Sequence, residues 1–369
     1  MRKAIYAGSF DPPTLGHLWM IQEASKMFEE VVVSLGVNPE KKPMFDLEDR
    51  LSMLREMVLP FPNVSVSSYC NQYLVSHASE LGVNFIVRGI RNGADYEYER
   101  AMRNINADLN SDISTVFLMP PKNLSEISSS VIKGLIGPNG WEKVIPLYVP
   151  GSVFFYLVSH QFTLWNNLKL AGAHGNEKDF WKKVIGNYLE NHRHYHNLNH
   201  IRDMLANFEQ VKHLLKDPLA VETAIWLHDV IYDTSPTDPH IASNEDRSDY
   251  HMVVMMKEIG MGDDFISRVS SHISATKHNS VTRDHDSQYL VDLDLLVLGK
   301  NESDFDQYEE GIRREYSFVP DQVFAEKRAE ILQGFLNRDC IFATEFFRGR
   351  YEEQARKNLA RSIKKLKGN

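Results

Sequence analysis

Through the first 160 residues, short apolar runs alternate with stretches whose apolar positions recur close to the helical period. The runs at 4–7, 31–37, 64–68, 85–90 and 115–119 are rich in β-branched or aromatic residues and read as strands. The intervening segments 18–28, 47–58, 73–81 and 98–109 read as helices, with one more over 152–162. Strand, helix, strand in series requires right-handed crossovers, so the expected fold is a doubly wound parallel α/β sheet. Ligands of such sheets bind beyond the carboxyl ends of the strands, where residues 8–17 and Arg88 fall.

The pattern then changes. From residue 180 onward, apolar stripes of helical spacing follow one another at 181–189, 201–215, 221–231, 247–256, 263–275, 289–298, 308–316, 324–336 and 352–365, with no strand cluster and no internal repeat. Between the halves the chain turns small and polar around Ala171-Gly172-Ala173-His174-Gly175-Asn176. The expected organisation is an α/β domain over 1–162, a linker over 163–179 and an all-α domain over 180–369.

Composition narrows the classes. A chain of 369 residues is long enough for two cores. No apolar run reaches the length of a transmembrane helix, and no signal-peptide core precedes the first strand. Two cysteines, Cys70 and Cys340, exclude a disulfide framework and fit a cytoplasmic setting. The net charge is −9 and neither half is basic, which argues against nucleic acid as a partner.

The first strand runs into Gly8-Ser9-Phe10-Asp11-Pro12-Pro13-Thr14-Leu15-Gly16-His17. A strand ending in such a loop and entering a helix aims free N–H groups and the positive helix dipole at one point, which suits a phosphate. Thr14 and His17 add donors that could stabilise charge on a phosphoryl group in transfer. A second element, Ile127-Ser128-Ser129-Ser130-Val131-Ile132-Lys133, again opens a helix after an apolar strand. Lys41, Arg88 and Lys133 are cations that could gather around an anionic ligand. On its own Ser128 reads as a helix cap, and Asp11-Pro12-Pro13 as a loop-shaping turn.

With Lys41-Lys42-Pro43-Met44-Phe45, Arg88-Gly89-Ile90-Arg91-Asn92 and Asp95-Tyr96-Glu97-Tyr98-Glu99, these motifs resemble the phosphopantetheine adenylyltransferases, Rossmann-like nucleotidyltransferases of coenzyme A synthesis. The resemblance implies transfer of AMP from ATP, with Mg²⁺, onto 4′-phosphopantetheine to give dephospho-coenzyme A and pyrophosphate, by a homo-oligomer, a hexamer in that family. By matching position, Ser9, Lys41, Leu74 and Arg88 would hold the acceptor. Ser9, Phe10, His17, Gly89, Ile90, Arg91, Glu99, Asn123, Leu124, Ser125, Glu126, Ile127, Ser128, Ser129 and Ser130 would hold ATP. His17, Thr14, Lys41 and Arg91 would act in catalysis. Ala7 and Leu15 depart from the family's usual Pro and Asn. Leu124 and Glu126 replace a Trp and a bulky residue, and Glu126 would repel a triphosphate unless it turns outward. The rival within this fold is adenylyl transfer to nicotinate mononucleotide.

Of the 15 histidines, twelve follow residue 170. His228-Asp229 stands in an otherwise apolar stretch, where an unpartnered carboxylate would be costly to bury. With His200 upstream and Asp294 or Asp292 downstream it could close around a divalent transition metal such as Mn, Fe, Co, Ni or Zn. The set, from Arg193-His194-Tyr195-His196-Asn197-Leu198-Asn199-His200 to Asp292-Leu293-Asp294, resembles the HD superfamily of metal-dependent phosphohydrolases. That likeness implies His200, His228, Asp229 and Asp294 as ligands, with Asp292 the alternative fourth. Lys277, His278 and Arg193 are candidates for phosphate contact, and Glu245 for support of the ligands. A metal-bound sensor and a purely structural appendage are the competing readings of this half.

Overall fold

A computed structural model of the chain describes residues 2–37, 42–138, 140–159, 162–234, 242–278 and 282–368. It divides into two units, 1–161 and 162–369. In the first, β1 (Lys3–Gly8), β2 (Glu30–Val37), β3 (Val64–Cys70), β4 (Phe85–Gly89) and β5 (Ser114–Leu118) form one sheet in the order β3-β2-β1-β4-β5. Every pairing is parallel; Ala4 stands opposite Val31 on one side and Phe85 on the other. Central β1 is covered on both faces, which is why it reads as an unbroken apolar run. Ala4 and Tyr6 join a core with Ile21, Val31 and Leu54, while Ile5 joins Val32, Val75 and Ile86 on the opposite face.

The chain leaves β1 toward β2 on one side and later returns to β4 on the other, so the strand order reverses beside β1 and opens a crevice at its carboxyl end. Among the described residues the α-helices of this unit are α1 (Leu15–Met27), α2 (Leu47–Val58), α3 (Leu74–Glu80), α4 (Gly93–Leu109), α5 (Lys122–Ser125), α6 (Ser129–Leu135), α7 (Trp141–Val144) and α8 (Gly151–Ser159). α4 begins five residues before the expected start because Asn92 caps it, accepting from the Asp95 N–H at 2.9 Å. Its first turn is polar and carries no apolar stripe to reveal it.

Among the described residues the second unit has helices and no strand: α9 (Leu164–Leu170), α10 (Glu177–Tyr188), α11 (Leu198–Val211), α12 (Pro218–Leu227), α13 (Asn244–Glu258), α14 (Asp263–Ala275), α15 (His285–Asp294), α16 (Glu302–Glu315), α17 (Asp321–Leu336) and α18 (Glu345–Leu366). Residues 163–179, expected as a linker, hold α9 and the start of α10. Leu164, Trp165 and Leu168 of α9 are buried, with the Trp165 ring 5.3 Å from that of Phe180. Two adjacent asparagines, Asn166 and Asn167, masked this short apolar face in the sequence. No helix among the described residues is long and apolar enough to cross a membrane.

Candidate active site and metal centre

At the carboxyl ends of β1 and β4 a cleft of about 300 Å³ is lined by Ser9, Thr14, His17, Arg88, Gly89, Arg91, Glu99, Leu124 and residues 127–130. Thr14 caps α1 and closes a capping box with His17. The Thr14 N–H donates to His17 Nδ1 at 3.0 Å, and the Thr14 hydroxyl lies 2.9 Å from the same atom. With Nδ1 accepting, the ring proton of neutral His17 sits on Nε2. Burial, reinforced by Arg91, lowers the His17 pKa to about 4, so the neutral form prevails near neutral pH. Phe10 buttresses this ring 5.0 Å away from a left-handed backbone position, φ 46°. A Cβ on Gly8 would meet the Phe10 ring at 3.2 Å, so a larger residue there would press on the ring that buttresses His17.

The second element docks onto the first. Ser128 caps α6, accepting from the Val131 N–H at 3.2 Å, and the Ser129 hydroxyl donates to the Pro12 carbonyl at 2.8 Å. Arg88 is mostly buried, and its guanidinium is engaged by Glu99 at 2.5 and 2.7 Å and by the Ala7 carbonyl at 2.9 Å. Asp95 holds Arg91 through its Nε at 2.8 Å.

Some residues expected at the site do not line this cleft. Lys133 does not line the cleft; its Nζ pairs at 2.8 Å with buried Asp11, which also accepts from the Met44 and Phe45 N–H groups. Its charge is spent on holding two loops together. Leu74 is half-buried and packs against the core cluster that contains Val75 and Ile86. Phe10 and Ile90 are buried and do not line the cleft, and neither do exposed Asn123 and Glu126 or half-buried Ser125. Glu126 is turned outward, yet its charge still raises the Arg91 pKa as a minor contribution behind the Asp95 hydrogen bond. Lys41 lies outside the described residues.

In the second unit α12 ends at Leu227, so His228 and Asp229 follow the helix rather than ride on it. Buried Arg193 secures this turn by donating to the Asp229 carbonyl at 2.6 Å and the Val230 carbonyl at 3.0 Å. That commitment takes Arg193 away from phosphate contact and satisfies carbonyls the helix leaves open. The ligand atoms of His200, His228 and Asp229 all lie within 4.8 Å of one another. Asp294 Oδ1 joins them, 3.2 Å from His200 Nε2 and 3.6 Å from His228 Nε2.

This donor set suits a divalent cation. The His228 Nδ1–H donates to the Ile225 carbonyl at 3.0 Å, turning the Nε2 lone pair into the cluster. The site also calls for positive charge. Burial opposes a charged His228, yet Asp229 and Asp294 override it and raise its pKa well above the ordinary value. Burial likewise opposes the Asp229 carboxylate, but His228 holds its pKa far below the usual range. Two imidazoles and two carboxylates at these separations fit a transition metal better than Ca²⁺.

Asp292 faces the other way. It accepts from the Ala343 and Thr344 N–H groups and the Thr344 hydroxyl at 2.6–2.8 Å, holding the start of α18, and burial pushes its pKa up to about 6. Lys277 pairs with Asp246, and Glu245 sits in the first turn of α13, where negative charge favours a helix start. His278 meets Asp294 Oδ2 at 2.9 Å. A further pair escaped the sequence reading: His196 Nδ1 lies 2.7 Å from buried Glu315, with the His196 ring stacked on Tyr232 and 6.0 Å from that of His200. These two residues are more than a hundred positions apart, and no local pattern links them.

The chain matches the cytidylyltransferase-like family over residues 5–135. It is 53% identical over 161 residues to the phosphopantetheine adenylyltransferase of Neisseria meningitidis serogroup C, covering 43% of this chain and 95% of that protein. The Chromobacterium violaceum phosphopantetheine adenylyltransferase is 52% identical over 159 residues, covering 43% of this chain and 97% of its own length. A solved nicotinic acid mononucleotide adenylyltransferase from Plasmodium falciparum is 17% identical with a TM-score of 0.34, covering 45% of this chain and 97% of its own. Identity above half, sustained over nearly the whole length of those bacterial enzymes, means that through its first unit, a nucleotidyltransferase, the chain belongs to the phosphopantetheine adenylyltransferase family.

Proposed function

We propose that the first unit joins ATP, accompanied by Mg²⁺, to 4′-phosphopantetheine, giving dephospho-coenzyme A and pyrophosphate. The acceptor phosphate attacks the α-phosphorus in line; one P–O bond forms as the bond to pyrophosphate breaks, with no covalent nucleophile on the protein. The observation that carries the reading is the neutral His17 at the start of α1, whose Nε2–H is left free to donate. A donor fixed before reaction stabilises charge building on the phosphoryl oxygens without reorganisation. Ser128 to Ser130 and the Gly16 N–H in the first turn of α1 cradle the nucleotide phosphates. Arg91 and Lys41 balance the transferred group, and Arg88, aimed by Glu99, receives the acceptor phosphate.

The unit acts as a homo-oligomer in this reading. Tyr98, Ile105 and Leu109 share one face of α4 and are 62%, 48% and 51% exposed, an apolar stripe suited to a second copy. For the second unit we propose a divalent transition-metal centre held by His200, His228, Asp229 and Asp294, serving a phosphohydrolase. When bound, such a cation polarises a phosphoryl oxygen and activates water. The convergence of the four donors supports this reading over a purely structural appendage.

Two assays test these assignments. Purified chain given ATP and Mg²⁺ with either 4′-phosphopantetheine or nicotinate mononucleotide should form dephospho-coenzyme A, detected by mass spectrometry; preference for the mononucleotide would refute the acceptor. With Mn²⁺ and a panel of nucleotides and coenzyme A intermediates, the chain should release phosphate from at least one. Tight metal binding without turnover of any would instead favour a sensor.

A further inference from the structure

His278 is held in a costly backbone conformation. It follows α14 with φ 56°, in the left-handed region that a residue with a Cβ seldom adopts. Two contacts keep it there: its carbonyl accepts from Arg338 at 2.8 Å, and its ring meets the edge of Phe335 at 5.9 Å. The result is that Nε2 lies 2.9 Å from Asp294 Oδ2, the carboxylate oxygen that His200 and His228 do not take. A carboxylate oxygen of ionised Asp294 can only accept, so Nε2 carries the proton. His278 Nδ1 is buried and meets no partner, which leaves the bond to Asp294 as the ring's one polar contact among the described residues.

We infer that His278 is a positioning residue of the metal centre, its Nε2–H pinning Asp294 Oδ2 so that Oδ1 is presented to the cation. The inference rests on the metal-centre reading above. A carboxylate free to rotate about its terminal torsion would share its time among orientations, and only some of them offer Oδ1 to the ion. A single fixed donor on the outer oxygen removes that freedom before the ion arrives. Such outer partners typically change metal affinity by about 10–100-fold.

The test is metal binding by the full chain. Mn²⁺ is titrated into the parent, Asp229→Ala, His278→Ala and His278→Gln, each melted without metal, and Co²⁺ absorption spectra are compared. Binding lost in Asp229→Ala defines the site. His278→Ala should weaken it by about tenfold or more and change the Co²⁺ spectrum, because the orientation of a ligand oxygen is lost. His278→Gln, which returns an N–H near the position of Nε2, should restore affinity to within about threefold of the parent. Undiminished binding in His278→Ala would overturn the inference alone, and so would a Gln variant as weak as Ala. No site-specific binding by the parent would overturn the metal-centre reading itself. A metal-free melt lowered in His278→Ala with affinity unchanged would make the residue purely structural and contradict the proposal.

Discussion

Thr14 and His17 fix each other: the Thr14 N–H and hydroxyl both reach His17 Nδ1, at 3.0 and 2.9 Å, while the His17 N–H faces the Thr14 oxygen at 3.4 Å. A motif that serves as a helix cap thereby sets the tautomer of the residue we place at the reacting phosphate. Structure and chemistry are the same contact here. His17→Ala should reduce kcat by about 10²–10³, with little change in acceptor KM. A kcat within about threefold of the parent would remove His17 from the transition state.

The same burial sets a pH signature. Desolvation, then Arg91, brings His17 down to about 4, so it contributes no inflection to kcat between pH 5 and 8. In the unfolded chain this imidazole takes up its proton near pH 6.5, whereas the folded site refuses it until about pH 4. Stability is therefore lost as pH falls through that window. His17→Gln should flatten the acid limb of the melting profile of the first unit. An unchanged limb would contradict the burial argument.

Glu99 was expected at the nucleotide, and the geometry gives it a second task. Its carboxylate takes two Arg88 donors. Glu99→Gln removes the charge that aims this largely buried guanidinium. Acceptor KM should rise about tenfold, more than KM for ATP, and unit stability should fall by about 1–3 kcal/mol after discounting the partial exposure of Arg88. Steady-state kinetics with each substrate varied would decide it; a change confined to ATP would return Glu99 to the nucleotide.

Asp292 and Asp294 stand two residues apart on α15 and face opposite tasks. Asp292→Ala strands three donors at the start of α18 and should lower stability by about 2 kcal/mol while keeping the metal. Asp294→Ala should lose the metal. Elemental analysis beside thermal melts would expose a reversal of these roles.

Much of this architecture was legible in the chain. The strands stood out because β1, β2 and β4 are buried on both faces and tolerate little but apolar residues. Thr14-Leu15-Gly16-His17 was legible because cap and donor lie within one turn. What stayed hidden depends on distant partners. The sequence shows that Lys133 and Arg193 are cations, but not that Asp11 neutralises one or that helix-end carbonyls occupy the other. It could not choose between Asp292 and Asp294, since only the Thr344 segment some fifty residues later reveals which way Asp292 turns. The early start of α4 and the whole of α9 were missed because polar first turns and adjacent asparagines obscure a short apolar face.

Each unit is proposed to carry its own chemistry: phosphoryl positioning around His17 in one, a cation between His200, His228, Asp229 and Asp294 in the other. Asp229→Ala tests it most directly, with metal content, phosphate-ester hydrolysis and dephospho-coenzyme A formation measured on one preparation. Loss of the metal and of hydrolysis is expected, because one of four ligands and its charge are gone, with adenylyl transfer within a few-fold of the parent. Full retention of metal would contradict the centre, and collapse of adenylyl transfer would contradict the independence of the two sites.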